Sequence, residues 1–152
     1  MREAVTEAEA TGRPYAVFSI GGEDYAIDVM AVREIRGWTQ TTALPHAPAY
    51  MLGVMNLRGT VVTVLDLAAR LDRPSSAPTA RHVVLFCEIG RRTFGLLVDA
   101  VADIVAVAAE EVQMADSTAT SAPSPIAGVV LRGDRLIRLV DAAALLPKEP
   151  SP

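Results

Sequence analysis

Gly53–Leu67 reads GVMNLRGTVVTVLDL, and Gly128–Ala142 reads GVVLRGDRLIRLVDA. Each stretch opens on a glycine, carries Leu-Arg-Gly between two apolar runs, and reaches an aspartate at or near its end. Apolar runs this short, broken by a glycine that tolerates the positive φ of a tight turn, predict two strands joined as a hairpin. A second block repeats as well. Ile20–Ile35 (IGGEDYAIDVMAVREI) aligns without a gap on Ile89–Ile104 (IGRRTFGLLVDAVADI). Ile20, Gly21, Val29, Ala31, Val32 and Ile35 recur there as Ile89, Gly90, Val98, Ala100, Val101 and Ile104. Asp66 falls on Asp141 and Leu71 on Leu146. Two blocks matched in the same order indicate duplication of one supersecondary unit.

One copy, with about five short strands, has too few residues to bury a core by itself. Two copies closing into small barrels and packing together would cover their strand edges. The fold class expected is therefore all-β with a few short helices. Tyr15–Ile20 and Tyr25–Ile27 flank the turn Gly21-Gly22-Glu23-Asp24 as a first hairpin. Asp28 caps a helical turn that runs on into a strand around Ile35. Strands follow at 53–57, 60–67, 82–89, 93–98 and on both sides of the second Leu-Arg-Gly, with short helices at 68–71 and 141–146. Asp99–Ala109 fits helix or strand. Residues 72–80 (DRPSSAPTA) compose a linker, and 116–125 a second Pro/Ser/Thr-rich loop. The organisation expected is a flexible segment 1–14, one domain over 15–146, and a tail 147–152. Approximate subdomains at 15–72 and 81–146 have room for strand exchange between them.

Composition narrows the function. With 152 residues and 51% hydrophobic content the chain belongs among folded domains. No apolar run approaches the roughly 18 residues of a membrane span, so no membrane insertion is expected. The opening MREAVTEAEATGRP lacks the apolar core of a secretory signal. A net charge of −4 without a basic stripe argues against nucleic acid as a partner. A lone cysteine, Cys87, excludes an internal disulfide and suits a reducing compartment. A soluble intracellular domain is the class expected.

Catalytic chemistry finds no foothold. His46 lies among loop prolines and His82 starts a strand, neither at ligand or triad spacing. The glycines form no phosphate cradle. Cys87 sits in an apolar strand as a core residue, and Asp66 and Asp141 read as helix caps. No cofactor or metal is expected. Arg58 reads first as a solvated turn residue, but Glu34 ends a strand in the same copy and is placed to bridge to it. Asn56 is placed to bond the turn backbone. Val32, Ile35, Val101 and Ile104 recur at equivalent places and suit a core. Two facing barrels also leave an apolar groove where a partner helix can lie.

The run GEDYAIDVMAVREIRGW, then LPHAPAYMLGVMNLRGTVVTVLDL, then RHVVLFCEIGRRTFGLLVDAVADIV, resembles the CheW family of bacterial chemotaxis coupling proteins from about Tyr15 to Leu146. The resemblance implies two SH3-like five-stranded β-barrels around a shared hydrophobic core, and a non-catalytic adaptor. It implies coupling of the cytoplasmic tip of methyl-accepting chemoreceptors to the histidine kinase CheA, whose regulatory domain has the same fold. Further CheW-like subunits of array rings are implied partners too. The location implied is the cytoplasm, against membrane receptor arrays. Carried over by residue, Val32, Val83 and Ile104 are groove-side receptor contacts, with Arg58 of the Asn56-Leu57-Arg58-Gly59 element beside them. Glu34, Thr41 and Val61 fall toward the kinase. A non-flagellar chemosensory pathway, serving pili or surface behaviour, is the alternative setting.

Overall fold

The computed structural model describes residues 12–114 and 125–145. The loop expected at 116–125 and the tail at 147–152 therefore lie almost wholly outside the described residues, as does Leu146. Among the described residues eleven strands occur in chain order. They are β1 (Arg13–Ile20), β2 (Glu23–Asp28), β3 (Val32–Gly37), β4 (Met51–Leu57), β5 (Thr60–Asp66) and β6 (Val83–Ile89). Then come β7 (Arg92–Val98), β8 (Ala100–Val107), β9 (Gln113–Met114), β10 (Ile126–Arg132) and β11 (Arg135–Val140). Single-turn helices α1 (Leu67–Arg70) and α2 (Ala142–Leu145) follow β5 and β11. The segment left open between helix and strand is strand β8. The first strand begins at Arg13, inside the stretch expected to be flexible.

The strands form two sheets, ordered β8-β1-β2-β11-β10-β9 and β3-β6-β7-β5-β4. Neither sheet comes from one copy of the repeat. Hairpin β1–β2 of the first copy completes the sheet of β8–β11, and hairpin β6–β7 of the second completes the sheet of β3–β5. The exchange is reciprocal in register. Val32 lies opposite Cys87 and its counterpart Val101 lies opposite Phe18. In the parallel pairs, Tyr25 lies beside Arg138 and Phe94 beside Thr63. The linker at 72–80 thus separates the two copies but not the two sheets. The switch is made at Asp28, whose carboxylate accepts a hydrogen bond from the Met30 amide at 2.9 Å. That bond caps the 3-10 turn Val29–Ala31, which carries the chain from the first sheet into the second.

Alternation along the exchanged strands feeds separate cores. In β1, Ala16, Phe18 and Ile20 join a core shared between the sheets, while Val17 points into the interior of its own sheet. Phe86 and Val84 of β6 fill the interior of the other, and Leu85 and Cys87 enter the shared core. Fully burying side chains of this size contributes about 1.5–3 kcal/mol each, so the shared core ties both sheets into one body. Cys87 is wholly buried within it, and burial pushes its thiol up to about 12.

The glycines that open the two quoted stretches share a task. Each sits at a register shift, in β4 and in β10. A Cβ on Gly53 would lie 2.3 Å from the Thr42 carbonyl oxygen, and one on Gly128 would lie 2.8 Å from that of Gln113. Only a bare Cα lets those backbones approach. At Gly53 the approach is sealed by paired bonds of 2.8 Å between Thr42 and Val54, which tie the loop after β3 to β4 at the opposite edge of the sheet.

Candidate functional site

Val32, Val83 and Ile104 lie on the face that looks between the two sheets. Val32 is half-buried against the shared core, as is Val83, while Ile104 stands 65% exposed. The register explains why residues three apart share that face. Arg33 is the extra residue of a bulge between Val32 and Glu34, so Val32 and Ile35 both stand opposite shared-core residues, Cys87 and Leu85. The second copy repeats the device. Ala102 is extra there, and Val101 and Ile104 stand opposite Phe18 and Ala16. The core expectation therefore holds for the half-buried Val32 and Val101 but not for Ile35, 48% exposed, or Ile104. The repeat alignment that picks out Ile104 picks out Ile35 equally.

Glu34 faces the other way, toward the interior of its own sheet, because its cross-strand neighbour is Phe86. It is held by two arginines. Arg36 donates to Oε2, and an Arg58 nitrogen lies 3.0 Å from Oε1 as a charge contact without hydrogen-bond alignment. Since β3 and β4 are the two edges of the five-stranded sheet, the Glu34–Arg58 pair spans its closure. Arg58 itself has φ 53 and Gly59 φ 86, a two-residue turn with both residues left-handed. The Asn56 side-chain oxygen accepts from the Gly59 amide at 2.8 Å and fixes this turn. Val61, opposite Asn56, is 69% exposed just beyond it. Thr41 is half-buried and its hydroxyl donates to the Leu52 carbonyl at 2.9 Å, so it anchors the loop that closes the sheet.

The second Leu-Arg-Gly does not make the same turn. Its two turn residues are Gly133 and Asp134, and Arg132 is the last residue of strand β10. Arg132 turns back to Glu111, at 2.9 and 3.0 Å, and to the Ala106 carbonyl. This interaction, with the Ala108 amide, holds the Glu111 carboxyl below the usual range. A shift of one residue thus turns the matched arginine from a turn residue into a brace. Where the first copy sets Asn56 opposite Val61, the second sets Leu131 opposite Leu136, both exposed. This apolar pair was not anticipated, although superposing the repeats places it beside the anticipated Val61.

Asp141 caps α2 through the Ala143 amide at 3.1 Å. Asp66 faces the amides of Ala68 and Ala69 without closing an aligned cap bond. Burial raises its carboxyl, offset in part by the Ala69 amide, the Ser75 hydroxyl and the Ala68 amide. Among the described residues no group of His, Cys, Asp and Glu could hold a metal ion, and no helix is long and apolar enough to cross a membrane.

What the arrangement offers is surface: exposed aliphatic side chains on a rigid double sheet, and an arginine held at a turn. Comparison with known proteins says what such a surface belongs to. The family model described as "CheW-like domain" matches residues 14–149. The chain belongs to the CheW family. It is 43% identical over 152 residues to a protein of Rhizobium etli named "Probable chemotaxis protein CheW", covering 99% of this chain and 98% of that one. It is 41% identical over 150 residues to "Chemotaxis protein CheW" of Rhizobium meliloti, covering 98% and 97%. Among solved structures it is similar to the scaffolding protein TtCheW of Thermoanaerobacter tengcongensis. The TM-score there is 0.77 at 25% identity, over 85% of this chain and 88% of that one. Membership of the CheW family makes this chain a non-enzymatic adaptor of chemotaxis signalling, built as two β-barrels around a common core.

Proposed function

We propose that the chain couples the cytoplasmic tip of methyl-accepting chemoreceptors to the histidine kinase CheA, with further CheW-like subunits as neighbours in receptor arrays. The observation that carries this reading is the exposure of Ile104 on a face whose register otherwise leads into the shared core. An exposed aliphatic residue continuous with a buried apolar face is a docking edge for an amphipathic helix. Val32, Val83 and Ile104 supply that edge for the receptor, with Arg58 at its flank. Glu34, Thr41 and Val61 serve the kinase side: Glu34 and Thr41 hold the barrel closure, and Val61 offers the apolar contact. Contacts of this size are weak singly and gain from multivalency in an array, which fits a soluble protein recruited to the membrane by its partners.

The test is co-sedimentation with receptor-tip fragments and CheA, with circular dichroism as the folding control. Ile104→Asp should lose receptor binding while keeping the wild-type spectrum. Val61→Asp should lose the kinase and keep the receptor. Val32→Asp should both weaken binding and lower stability, because Val32 is half-buried. If wild type binds neither partner, the coupling role fails, and receptors and kinase of a non-flagellar chemosensory pathway become the pair to test.

A further inference from the structure

The linker between the two copies is fastened at both ends. Where it leaves α1, the Arg73 amide donates to the Ala68 carbonyl at 2.8 Å and the Arg73 side chain pairs with Glu23. Pro74, Ser75 and Ser76 then wall a recess of about 280 Å³ that Asp66 and His82 also line, and Asp66 is only 8% exposed there. At the far end His82, which the site described above does not use, closes a turn on Thr79. The His82 amide donates to the Thr79 carbonyl at 3.0 Å, and the Arg81 amide to the Thr79 hydroxyl at 3.2 Å. In return the Thr79 amide donates to His82 Nδ1 at 3.0 Å, and the Thr79 hydroxyl lies 3.1 Å from the same nitrogen.

An amide nitrogen can only donate, so Nδ1 accepts, and the neutral ring carries its proton on Nε2. Nε2 faces the other way, 3.5 Å from Asp99 Oδ1, while Oδ2 of that carboxylate accepts from the Gly21 amide at 2.8 Å. Asp99 stands where the chain crosses from β7 in one sheet to β8 in the other, and Gly21 lies in the β1–β2 turn. The imidazole, its side chain 16% exposed, thus ties the linker turn to the crossover between the sheets. The His82 carbonyl accepts from the Trp38 amide at 3.0 Å, one rung beyond the Gly37–Val83 pair. Among the described residues the charged groups facing the ring are Asp99 after β7 and Asp66 at the end of β5. Arg81 of the turn is exposed, β3 brings the Trp38 backbone, and Glu23 beyond the Gly21 turn is engaged by Arg73 and Arg138.

We propose that His82 is a pH-sensitive clasp that holds the linker against the crossover between the sheets. With the ring neutral, Nδ1 holds the Thr79 turn and Nε2 holds Asp99. A second proton goes to Nδ1, where the Thr79 amide already points. The Thr79 hydroxyl can rotate to accept from it, but the amide cannot, so two N–H groups face each other and the turn gives way. The carboxylates act from the other side: Asp99 and Asp66 attract the imidazolium, so His82 stays against Asp99 while Thr79 is freed. Acidification therefore loosens the linker over its recess and leaves His82, with Val83 after it, in place. The clasp does not depend on the partner assignment above.

The test uses the full chain and NMR spectroscopy. At about pH 8, imidazole nitrogen–proton correlations should show His82 with its proton on Nε2, the exposed His46 serving as the reference ring; a proton on Nδ1 instead overturns the proposal. Exchange of the Thr79 amide is then compared at each pH with two variants, in which the sequence around Thr79 is unchanged up to Arg81. His82→Gln reaches toward Asp99 but offers Thr79 no acceptor. The wild-type amide should exchange about five- to tenfold more slowly than in this variant at about pH 8, and equally fast at about pH 5. His82→Asn places an oxygen near the position of Nδ1 and takes up no proton in this range, so it should keep Thr79 slow at both. A ratio of wild type to His82→Gln that is the same at both pH values overturns the clasp. So does an Asn variant that releases Thr79 on acidification as wild type does, because the titrating group would then lie elsewhere.

Discussion

Replacing Gly53 by alanine is expected to open the five-stranded barrel at its closure. The new Cβ would sit 2.3 Å from the Thr42 carbonyl oxygen, a backbone atom that cannot rotate away. Ordinary contact returns only if the loop recedes by about 1 Å, which carries both 2.8 Å bonds between Thr42 and Val54 out of range. Two such bonds contribute about 1 kcal/mol each. The φ of +138° adds strain for any L side chain, about 1–2 kcal/mol if priced like the left-handed helical region. Alanine recovers roughly 0.4–1 kcal/mol by restricting the unfolded chain. The net loss is about 2–4 kcal/mol, a large share of a typical domain stability of roughly 5–15 kcal/mol. Gly59→Ala is the control. Its φ is +86°, but a Cβ there meets nothing within 4 Å, so strain alone should cost about 1 kcal/mol. Urea denaturation of the three proteins reads the difference directly. If Gly53→Ala and Gly59→Ala shift the midpoint equally, the close approach at Thr42 is not what closes this sheet.

Three further outcomes follow from groups around the two cores. Burial raises the Asp66 carboxyl, so the folded state holds its proton more tightly than the unfolded chain does. The stability this contributes is full below the unfolded aspartate value of about 3.9 and is lost as pH rises through the folded value. Asp66→Asn should therefore gain on wild type as pH rises above about 4 in urea titrations; a relative loss would mean that the Ser75, Ala68 and Ala69 donors outweigh burial. The Cys87 thiol, pushed up to about 12, should resist alkylation at about pH 8 until denaturant is added; rapid labelling of the native protein would mean the shared core opens. For Glu34 and Arg58, a double-mutant cycle with alanine should give a coupling of only about 0–1 kcal/mol, since the Arg58 side chain is 72% exposed. A coupling above about 2 kcal/mol would make the pair a structural clamp rather than a means of positioning the turn.

The hairpins, the first Leu-Arg-Gly turn and the cap at Asp28 were legible because each is local, and the Glu34–Arg58 pair because a strand end and a turn of the same copy carry opposite charges. Exchange of strands was left open in the sequence, but which hairpins cross was not legible. It depends on β3 choosing β6 over a strand of its own copy, and no local propensity encodes a pairing across that distance in the chain. The bulges were also hidden. Alternation by two would send Val32 and Ile35 to opposite faces, and only the extra Arg33 returns them to one. For the same reason Ile35, equivalent to Ile104, went unmarked as a surface residue. The shifted second turn shows the opposite risk. Leu-Arg-Gly is the same text twice, yet the arginine lies on the turn in one copy and in the strand in the other.

Reciprocal exchange has a consequence for how the two faces diverge. Because β1 pairs with β8 and β6 with β3, each barrel contains strands from both copies, and a core substitution in either copy disturbs both. Change is tolerated chiefly where side chains leave the cores, at the hairpin ends. There the copies differ: Asn56, Arg58 and Val61 on one barrel, Leu131, Gly133 and Leu136 on the other. One end is polar around a single valine with an arginine held by Glu34, and the other presents two leucines side by side. Duplication supplies two related ends, and the interlocked cores keep their geometry fixed while their chemistry separates. The coupling role proposed above calls for that combination, since two unlike partners would have to be held at one constant spacing.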